Sequence, residues 1–218
     1  MALKAIVFDW DLTLWNSWDI HVWLLHQTAD ALGLSRPQPS LIAQEFHRPF
    51  FEHLAWFLGN DHERIIDIYI RLYREVVAEK ASLYPGIAET LQVLKERGYR
   101  LAIFSDKREA FGAAELEQAG AKTLLDHTLF LHDGRPYKPD PAGLQQVMKA
   151  LGVTPEEALY VGDSPQDIDC SHRAGVRSVA ALWGSVNREK VLARQPHYQL
   201  ETVGEFVSIL ELSSGSSS

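Results

Sequence analysis

The stretch Ala5-Ile6-Val7-Phe8-Asp9-Trp10-Asp11 decides the fold class. It begins with an apolar run without polar alternation, a pattern typical of a strand that is buried on both faces of a parallel sheet. Asp9 and Asp11 follow at once, and open α/β sheets bind ligands beyond the carboxyl ends of their strands. An isolated Asp-x-Asp also fits a strand end or a helix cap. The stretch therefore predicts a buried strand and makes its two carboxylates candidates for a functional site.

Short apolar runs of the same kind recur along the chain, with helix-period stretches between them. Strands are predicted at 101–104, 159–161 and 178–182, with a weaker candidate at 128–131. The stretches 86–98 and 139–152 each place apolar residues on one helical face and end at a glycine. This alternation predicts an α/β fold with a Rossmann-like parallel sheet.

One segment interrupts the alternation. Residues 16–81 have helix periodicity but no convincing strand, and helices are predicted at 19–32, 40–58 and 61–80. We therefore predict an all-helical domain at 16–81, inserted into a core of 1–15 and 82–212. The serine-rich end, 213–218, has no apolar side chain to bury and predicts a disordered tail.

Length, charge and cysteine content narrow the functional classes. The chain has 218 residues, with 21 Lys and Arg against 29 Asp and Glu, and a formal net charge of −8. This acidic balance argues against a protein that binds nucleic acid through a basic face. No apolar run approaches the roughly 20 residues of a membrane span, so no membrane segment is expected. A single cysteine, Cys170, supports no disulfide framework, which favours a cytoplasmic location.

A second group of carboxylates follows the predicted strand at 159–161. Gly162 allows a sharp turn, and Asp163 and Asp167 come after it. Carboxylates gathered at one sheet edge raise one another's pKa values or require a cation. Oxygen ligands without a thiol or paired histidines favour Mg²⁺ over zinc. The sequence therefore predicts a Mg²⁺ site at this edge.

Two further polar residues follow predicted elements of the core. Ser105 ends the predicted strand at 101–104, and Lys138 precedes a proline. Alone, a serine after a strand is typical of a helix cap, and a lysine is typical of the surface. A hydroxyl, an ammonium and a metal ion at one edge would together neutralise a phosphoryl group before a carboxylate attacks it. The combination favours phosphoryl chemistry.

In chain order, these residues resemble the four signature motifs of the haloacid dehalogenase-like superfamily. The motifs are Asp9-x-Asp11-x-Thr13, Ser105, Lys138 and Gly162-Asp163-x-x-x-Asp167. The helical insert resembles that superfamily's cap domain. Two sequence segments are similar to those of the phosphoglycolate phosphatase branch: Ser105-Asp106-Lys107 and Lys138-Pro139-Asp140-Pro141.

The resemblance implies a role for each motif residue. Asp9 would be the nucleophile that forms an aspartyl phosphate, and Asp11 would be the general acid and base. Ser105 and Lys138 would take part in catalysis by holding the phosphoryl oxygens, and Thr13 would contribute to substrate binding. Because the family's dehalogenases lack an acid/base aspartate at the position of Asp11, a phosphate substrate is favoured.

The resemblance also implies Mg²⁺ as the cofactor. Its ligands would be the side chains of Asp9 and Asp163 and the backbone carbonyl of Asp11. Asp167, the second carboxylate of the fourth motif, would support the site.

Two core positions depart from the family's pattern, and the predicted cap adds one candidate contact. Leu12 stands where many members have glycine, which predicts an altered turn. Asp106 stands where asparagine is common, and either alters the phosphate pocket or caps the next helix. Arg48, with His47 beside it, is a candidate contact for a second anionic group of the substrate. A surface or bundle-stabilising role is the alternative for both.

These expectations converge on a Mg²⁺-dependent phosphatase that hydrolyses a small phosphorylated metabolite, with 2-phosphoglycolate as the first candidate and a sugar phosphate as another. A mutase of the β-phosphoglucomutase kind would use the same two aspartates and return the phosphoryl group to a sugar. A binding or regulatory protein that has kept the fold without the chemistry is the alternative from another class. Release of free phosphate would distinguish the phosphatase from the mutase and from the binding or regulatory protein.

Overall fold

A computed structural model describes residues 2–46 and 48–207 of the chain. The chain divides into two compact units, Met1–Trp15 with Leu83–Ser218 and Asn16–Ser82. We retain the predicted core, 1–15 with 82–212, and the predicted insert, 16–81, as a proposal about folding domains. The predicted tail, 213–218, lies outside the described residues.

The first unit is built on a parallel sheet. The strands of the chain are β1 (Ala5–Phe8), β2 (Trp15–Asn16), β3 (Ser82–Leu83), β4 (Arg100–Arg108), β5 (His127–Leu131), β6 (Ala158–Gly162), β7 (Arg177–Ala181) and β8 (Tyr198–Leu200). Six of them form one sheet in the order β5-β4-β1-β6-β7-β8, and β2 pairs with β3. Every pairing in the six-stranded sheet is parallel. The predicted α/β fold class is confirmed.

Helices connect the strands and form the second unit. They are α1 (Trp18–Leu32), α2 (Pro39–Glu45), α3 (Phe50–Leu58), α4 (His62–Lys80), α5 (Ile87–Glu96), α6 (Glu109–Gln118), α7 (Ala142–Leu151), α8 (Pro165–Ala174) and α9 (Arg188–Leu192). Apolar residues of α7 and α8 pack with those of β1, β4 and β6 in one buried cluster. None of the helices described is long and apolar enough to cross a membrane.

Two features of the sheet differ from the sequence prediction. The strand predicted at 101–104 continues to Arg108, and its register against β5 shifts between Phe104 and Arg108. Irregular strand segments of this kind re-aim side chains next to functional sites. The edge strand β8 has only three residues, too few for a hydrophobic pattern to indicate it.

Over residues 16–46 and 48–82, the helical unit contains four helices rather than the three predicted. The helix predicted at 40–58 is two helices, because α2 ends at Glu45 and α3 begins at Phe50 with Pro49 as its N-cap. Proline lacks a backbone N–H and disfavours a helical residue before it, so a helix ends before a proline and a new one begins after it. Apolar side chains of the unit, including Leu24, Leu54 and Ile65, are buried.

Candidate active site

The functional edge of the sheet is the carboxyl end of three neighbouring strands. β1 lies between β4 and β6, and the chain crosses from one side of β1 to the other between β5 and β6. Such a reversal in strand order opens a crevice at the carboxyl ends. Asp9 follows β1, Ser105 lies in β4, and Asp163 follows β6. The topology therefore brings these three side chains to one edge.

Three carboxylates meet at this edge. Oxygens of Asp9, Asp163 and Asp167 lie within 4.8 Å of one another, and all three residues are buried. The Lys138 ammonium lies 2.7 Å from Oδ1 of Asp167 and 3.0 Å from Oδ2 of Asp9. Its side chain is 5% exposed, so solvent screens these interactions little. The cluster contains more acid than the Lys138 ammonium alone can neutralise.

The pKa values report this imbalance. Burial raises the pKa of Asp9 to about 7, with Lys138 opposing the shift and Asp167 adding to it. Burial raises the pKa of Asp163 well above its usual range, and the charges of Asp167 and Asp9 add to that shift. Burial alone would lower the pKa of Lys138, but the attraction of Asp167 and Asp9 raises it on balance. Ionising Asp9 and Asp163 therefore costs free energy unless more positive charge is supplied.

Asp167 is fully engaged by protein groups. Its Oδ1 bonds the Lys138 ammonium at 2.7 Å and the Tyr160 hydroxyl at 2.9 Å. Its Oδ2 accepts from the backbone N–H of Ser164 at 3.0 Å and from the Ser164 hydroxyl at 2.6 Å. Burial alone would raise the pKa of Asp167, but Lys138 and the other hydrogen-bond donors lower it on balance. Because each oxygen already accepts from two donors, we infer that Asp167 supports the site by fixing Lys138. Its direct contact with a metal ion stays a prediction.

The other two carboxylates fit a small divalent cation. Oδ1 of Asp9 accepts from the backbone N–H of Trp10 at 2.7 Å, and Oδ1 of Asp163 accepts from the Thr13 hydroxyl at 3.0 Å. Both keep lone pairs for a ligand, and hard oxygen donors favour Mg²⁺. Asp9 and Asp163 would hold the ion, which would supply the charge that the cluster lacks. The part assigned to the Asp11 backbone carbonyl stays a prediction.

The loop after β1 is tightly folded around Leu12 and Thr13. Leu12 is fully buried and has a φ of 58°, a left-handed conformation that favours glycine. The Thr13 side chain is also fully buried. Its hydroxyl donates to Asp163, and its carbonyl accepts from the indole N–H of Trp183 at 3.0 Å. These contacts do not support a substrate-contacting Thr13 side chain, and we assign its hydroxyl to orienting Asp163.

The other two predicted catalytic residues also lie at this edge. Ser105 is buried, and its hydrogen bond with Asp9 lowers the pKa of that carboxyl against the larger effect of burial. Asp11 is partly exposed, and its Oδ1 lies 3.1 Å from the Lys107 ammonium. Lys107 stands in the Ser105-Asp106-Lys107 segment but outside the four signature motifs, and its contact with Asp11 is evident only from the structure.

Asp106 has a role that the sequence does not indicate. Its Oδ1 accepts from Arg135 at 2.6 Å, and its Oδ2 accepts from the backbone N–H of Lys138 at 2.9 Å. Arg135 also donates to the carbonyl of Ser105 at 2.8 Å. The helix α6 begins with Arg108 as its N-cap, so Asp106 is not a cap. It links β4 to the Lys138 loop, and the buried Arg135 guanidinium neutralises its charge.

Comparison with known families decides the family. The description "Haloacid dehalogenase-like hydrolase" matches residues 6–181, a range that includes all four motifs. The chain is a haloacid dehalogenase-like hydrolase. The family predicted from the motifs is confirmed.

Known relatives of this hydrolase carry phosphatase names. It is 28% identical to a phosphoglycolate phosphatase of Aquifex aeolicus, over 96% of this chain and 97% of the relative. It is 26% identical to the pyrophosphatase PpaX of Bacillus velezensis, over 95% and 96% of the two chains. A crystal structure titled as a predicted phosphoglycolate phosphatase from Haemophilus somnus superposes with a TM-score of 0.84. It covers 95% of this chain and 97% of its own, at 24% identity, and supports the fold alone.

In this hydrolase, the loop after β1 approaches Gly184 too closely to leave room for a side chain there. A Cβ at Gly184 would lie 1.7 Å from the Leu12 carbonyl oxygen and 3.0 Å from the Tyr84 hydroxyl. We expect Gly184→Ala to displace the loop that carries Asp11 and Thr13. Misplacing a reacting group by about 1 Å costs about 100-fold in rate, and overpacking costs about 1–3 kcal/mol in stability. Steady-state kinetics and urea unfolding measure both.

Gly204→Ala is the matched control for this prediction. A Cβ at Gly204 meets its nearest atom, Oγ1 of Thr202, at 4.0 Å, which is ordinary van der Waals contact. We expect this variant to keep the activity and stability of the unaltered hydrolase. Equal behaviour of the two variants would contradict the requirement for glycine at 184.

Arg48 lies in the helical unit, and its contacts there are structural. Its Nε lies 2.5 Å from Oε2 of Glu45, and its guanidinium lies 4.3 Å from the ring centre of Trp56. The bundle-stabilising alternative therefore has direct support, while the substrate contact stays a prediction. His47 lies outside the described residues.

Proposed function

We propose that this hydrolase is a Mg²⁺-dependent phosphatase that acts on a small phosphorylated metabolite. The observation that carries the proposal is the contact between the Lys138 ammonium and Asp9, within a buried carboxylate cluster short of positive charge. A site that lacks positive charge is completed by a cation, and it then accepts a dianionic phosphoryl group. Bound Mg²⁺ would supply that charge at Asp9 and Asp163.

The first step that we propose is phosphoryl transfer to Asp9. An oxygen of the Asp9 carboxylate forms a bond to phosphorus while the bond from phosphorus to the substrate oxygen breaks. Asp11 gives its proton to that departing oxygen, and the alcohol leaves. Lys138 and Ser105 lie against Asp9, where an ammonium and a hydroxyl hold the oxygens of the transferring group.

The second step that we propose is hydrolysis of the aspartyl phosphate. Asp11, now a carboxylate, takes a proton from water as the water oxygen bonds to phosphorus. The bond between phosphorus and the Asp9 oxygen breaks, which releases inorganic phosphate and restores both aspartates. No redox partner is required.

Two substrates head the list of candidates. The name of the Aquifex aeolicus relative supports 2-phosphoglycolate, and the name of the Bacillus velezensis relative supports inorganic pyrophosphate. A sugar phosphate is the third, because the mutase alternative would act on one. A cytoplasmic location stays a prediction, supported by the single buried cysteine, Cys170.

The test is a panel of phosphorylated compounds with the full-length protein. We expect free phosphate from at least one of the three candidates with Mg²⁺, and no release when EDTA replaces the ion. Isomer formation from sugar phosphates, followed by NMR, tests the mutase alternative in the same reactions. Retention of all phosphate on the sugar would contradict the hydrolase proposal, and no turnover across the panel would favour a binding protein.

A further inference from the structure

A partly buried ionic network joins Asp11 to residues outside the four motifs. The Lys107 ammonium lies 3.1 Å from Oδ1 of Asp11 and 3.0 Å from Oε1 of Glu115. The other oxygen of Glu115, Oε2, accepts from the indole N–H of Trp10 at 2.7 Å. Glu115 lies on α6, and its side chain is 1% exposed. The buried Glu115 carboxylate therefore bonds to both Lys107 and Trp10, the residue between the two aspartates.

The network is rigid because its members are packed and paired. Trp10 is fully buried, and its ring stacks on Trp15 with ring centres 5.5 Å apart and an interplanar angle of 13°. Phe130 meets the Trp10 ring edge-on at 6.3 Å. A buried carboxylate holds its hydrogen-bond donors firmly, because losing one leaves charge unpaired in a low dielectric. The position of the Lys107 ammonium is thus set by Glu115.

The contact with Lys107 distinguishes the two oxygens of Asp11. Oδ1 is bonded to the ammonium, whereas Oδ2 has no hydrogen-bond donor among residues 2–46 and 48–207. The side chain of Asp11 is 23% exposed, so the residues described do not seal its carboxyl group from solvent. Without Lys107, the carboxyl group could rotate about its terminal bond, whose torsion is broad.

We propose that Lys107, held in place by Glu115, is a positioning residue for the general acid and base Asp11. It fixes Oδ1, so that Oδ2 gives its proton to the departing oxygen and later takes one from water. This inference rests on the proposed function, since it assigns Lys107 through Asp11. Lys107 itself neither bonds to phosphorus nor transfers a proton.

The test compares substrates that differ in their need for proton donation. An alkyl phosphate such as 2-phosphoglycolate must have its leaving oxygen protonated, whereas the leaving group of p-nitrophenyl phosphate departs as a stable phenolate. Because kcat/KM reports the steps through departure of the alcohol, it isolates the acid role of Asp11. We expect Lys107→Met to lower kcat/KM for the alkyl phosphate on the order of 10- to 100-fold, part of a general acid's contribution. The loss with p-nitrophenyl phosphate should be several-fold smaller.

The controls separate positioning from structure. Lys107→Arg keeps a cation and should restore most of the activity on the alkyl phosphate. Lys122→Met removes an exposed lysine that pairs with Glu117, and it should leave both substrates unaffected. If Lys107→Met does not fold, the double variant Lys107→Met/Glu115→Gln removes both charges and gives the same comparison.

The outcomes separate this inference from the proposed function. If the unaltered protein is active and Lys107→Met loses equal activity on both substrates, the positioning role is overturned. The proposed phosphatase function then still stands. Undiminished activity of Lys107→Met overturns it as well. If the unaltered protein releases phosphate from no compound of the panel, the proposed function falls and the inference falls with it.

Discussion

Replacing Asp9 by asparagine is expected to lower phosphate release by at least about 10⁴-fold, the scale of losing a catalytic nucleophile. The amide keeps the size of the carboxylate and can still accept from the backbone N–H of Trp10. It cannot form the acyl phosphate on which the proposed reaction depends. Rapid acid quenching should trap phosphorylated protein with the unaltered chain and none with Asp9→Asn. Turnover by Asp9→Asn at the original rate would contradict the assignment of Asp9.

The stability of the same variant shows whether it lost chemistry or folding. Burial raises the pKa of Asp9 to about 7, so the fold loses stability as the pH rises from the ordinary aspartate range towards 7. Asparagine does not ionise and avoids that cost. In Mg²⁺-free buffer above pH 7, Asp9→Asn should therefore unfold at a temperature no lower than the unaltered protein. Asp133 is exposed, and Asp133→Asn is the matched control for activity.

Most of the sheet and the members of the candidate site could be predicted from local sequence. β1 and β6 are short apolar runs, each followed by an aspartate. The carboxyl ends of parallel strands lie at one edge of the sheet, independent of the segments that connect the strands. The motif residues Asp9, Ser105, Lys138 and Asp163 could therefore be chosen before any contact was known. Lys138 follows no strand, so its choice depended on the motif order that resembles the superfamily.

The partners of those residues could not be predicted, because they come from distant parts of the chain. Glu115 is separated from Trp10 by 105 positions, and Arg135 from Asp106 by 29. A sequence indicates that a buried acid needs a cation, but it does not say which lysine or arginine supplies it. The additional carboxylate at Asp106 was a sequence signal that a cation lies nearby. Only the fold identifies that cation as Arg135.

Replacing Lys138 by methionine is expected to impair both folding and activity. The variant leaves Asp9, Asp163 and Asp167 buried within 4.8 Å of one another without their ammonium. Removing one partner of a buried ion pair costs about 3–5 kcal/mol, and removing a cation that holds the reacting group lowers the rate by about 100- to 1,000-fold. Urea unfolding and phosphate release measure the two losses. Lys149→Met, on an exposed position of α7, is the control.

The pH dependence of this loss separates charge from packing. In the unaltered protein, Lys138 lowers the pKa of Asp167 against the opposing effect of burial. Without the ammonium that pKa rises, so the folded variant takes up a proton as the pH falls, and its stability deficit should shrink from about pH 8 to about pH 5. The double variant Lys138→Met/Asp167→Asn lacks both charges. Its amide can donate to the Tyr160 hydroxyl, whose own proton then turns from position 167 to the Phe104 carbonyl, 3.0 Å away. We expect it to recover most of the lost stability but none of the activity. A deficit that is independent of pH and unrepaired in the double variant would assign Lys138 to packing against Phe104 and Tyr160.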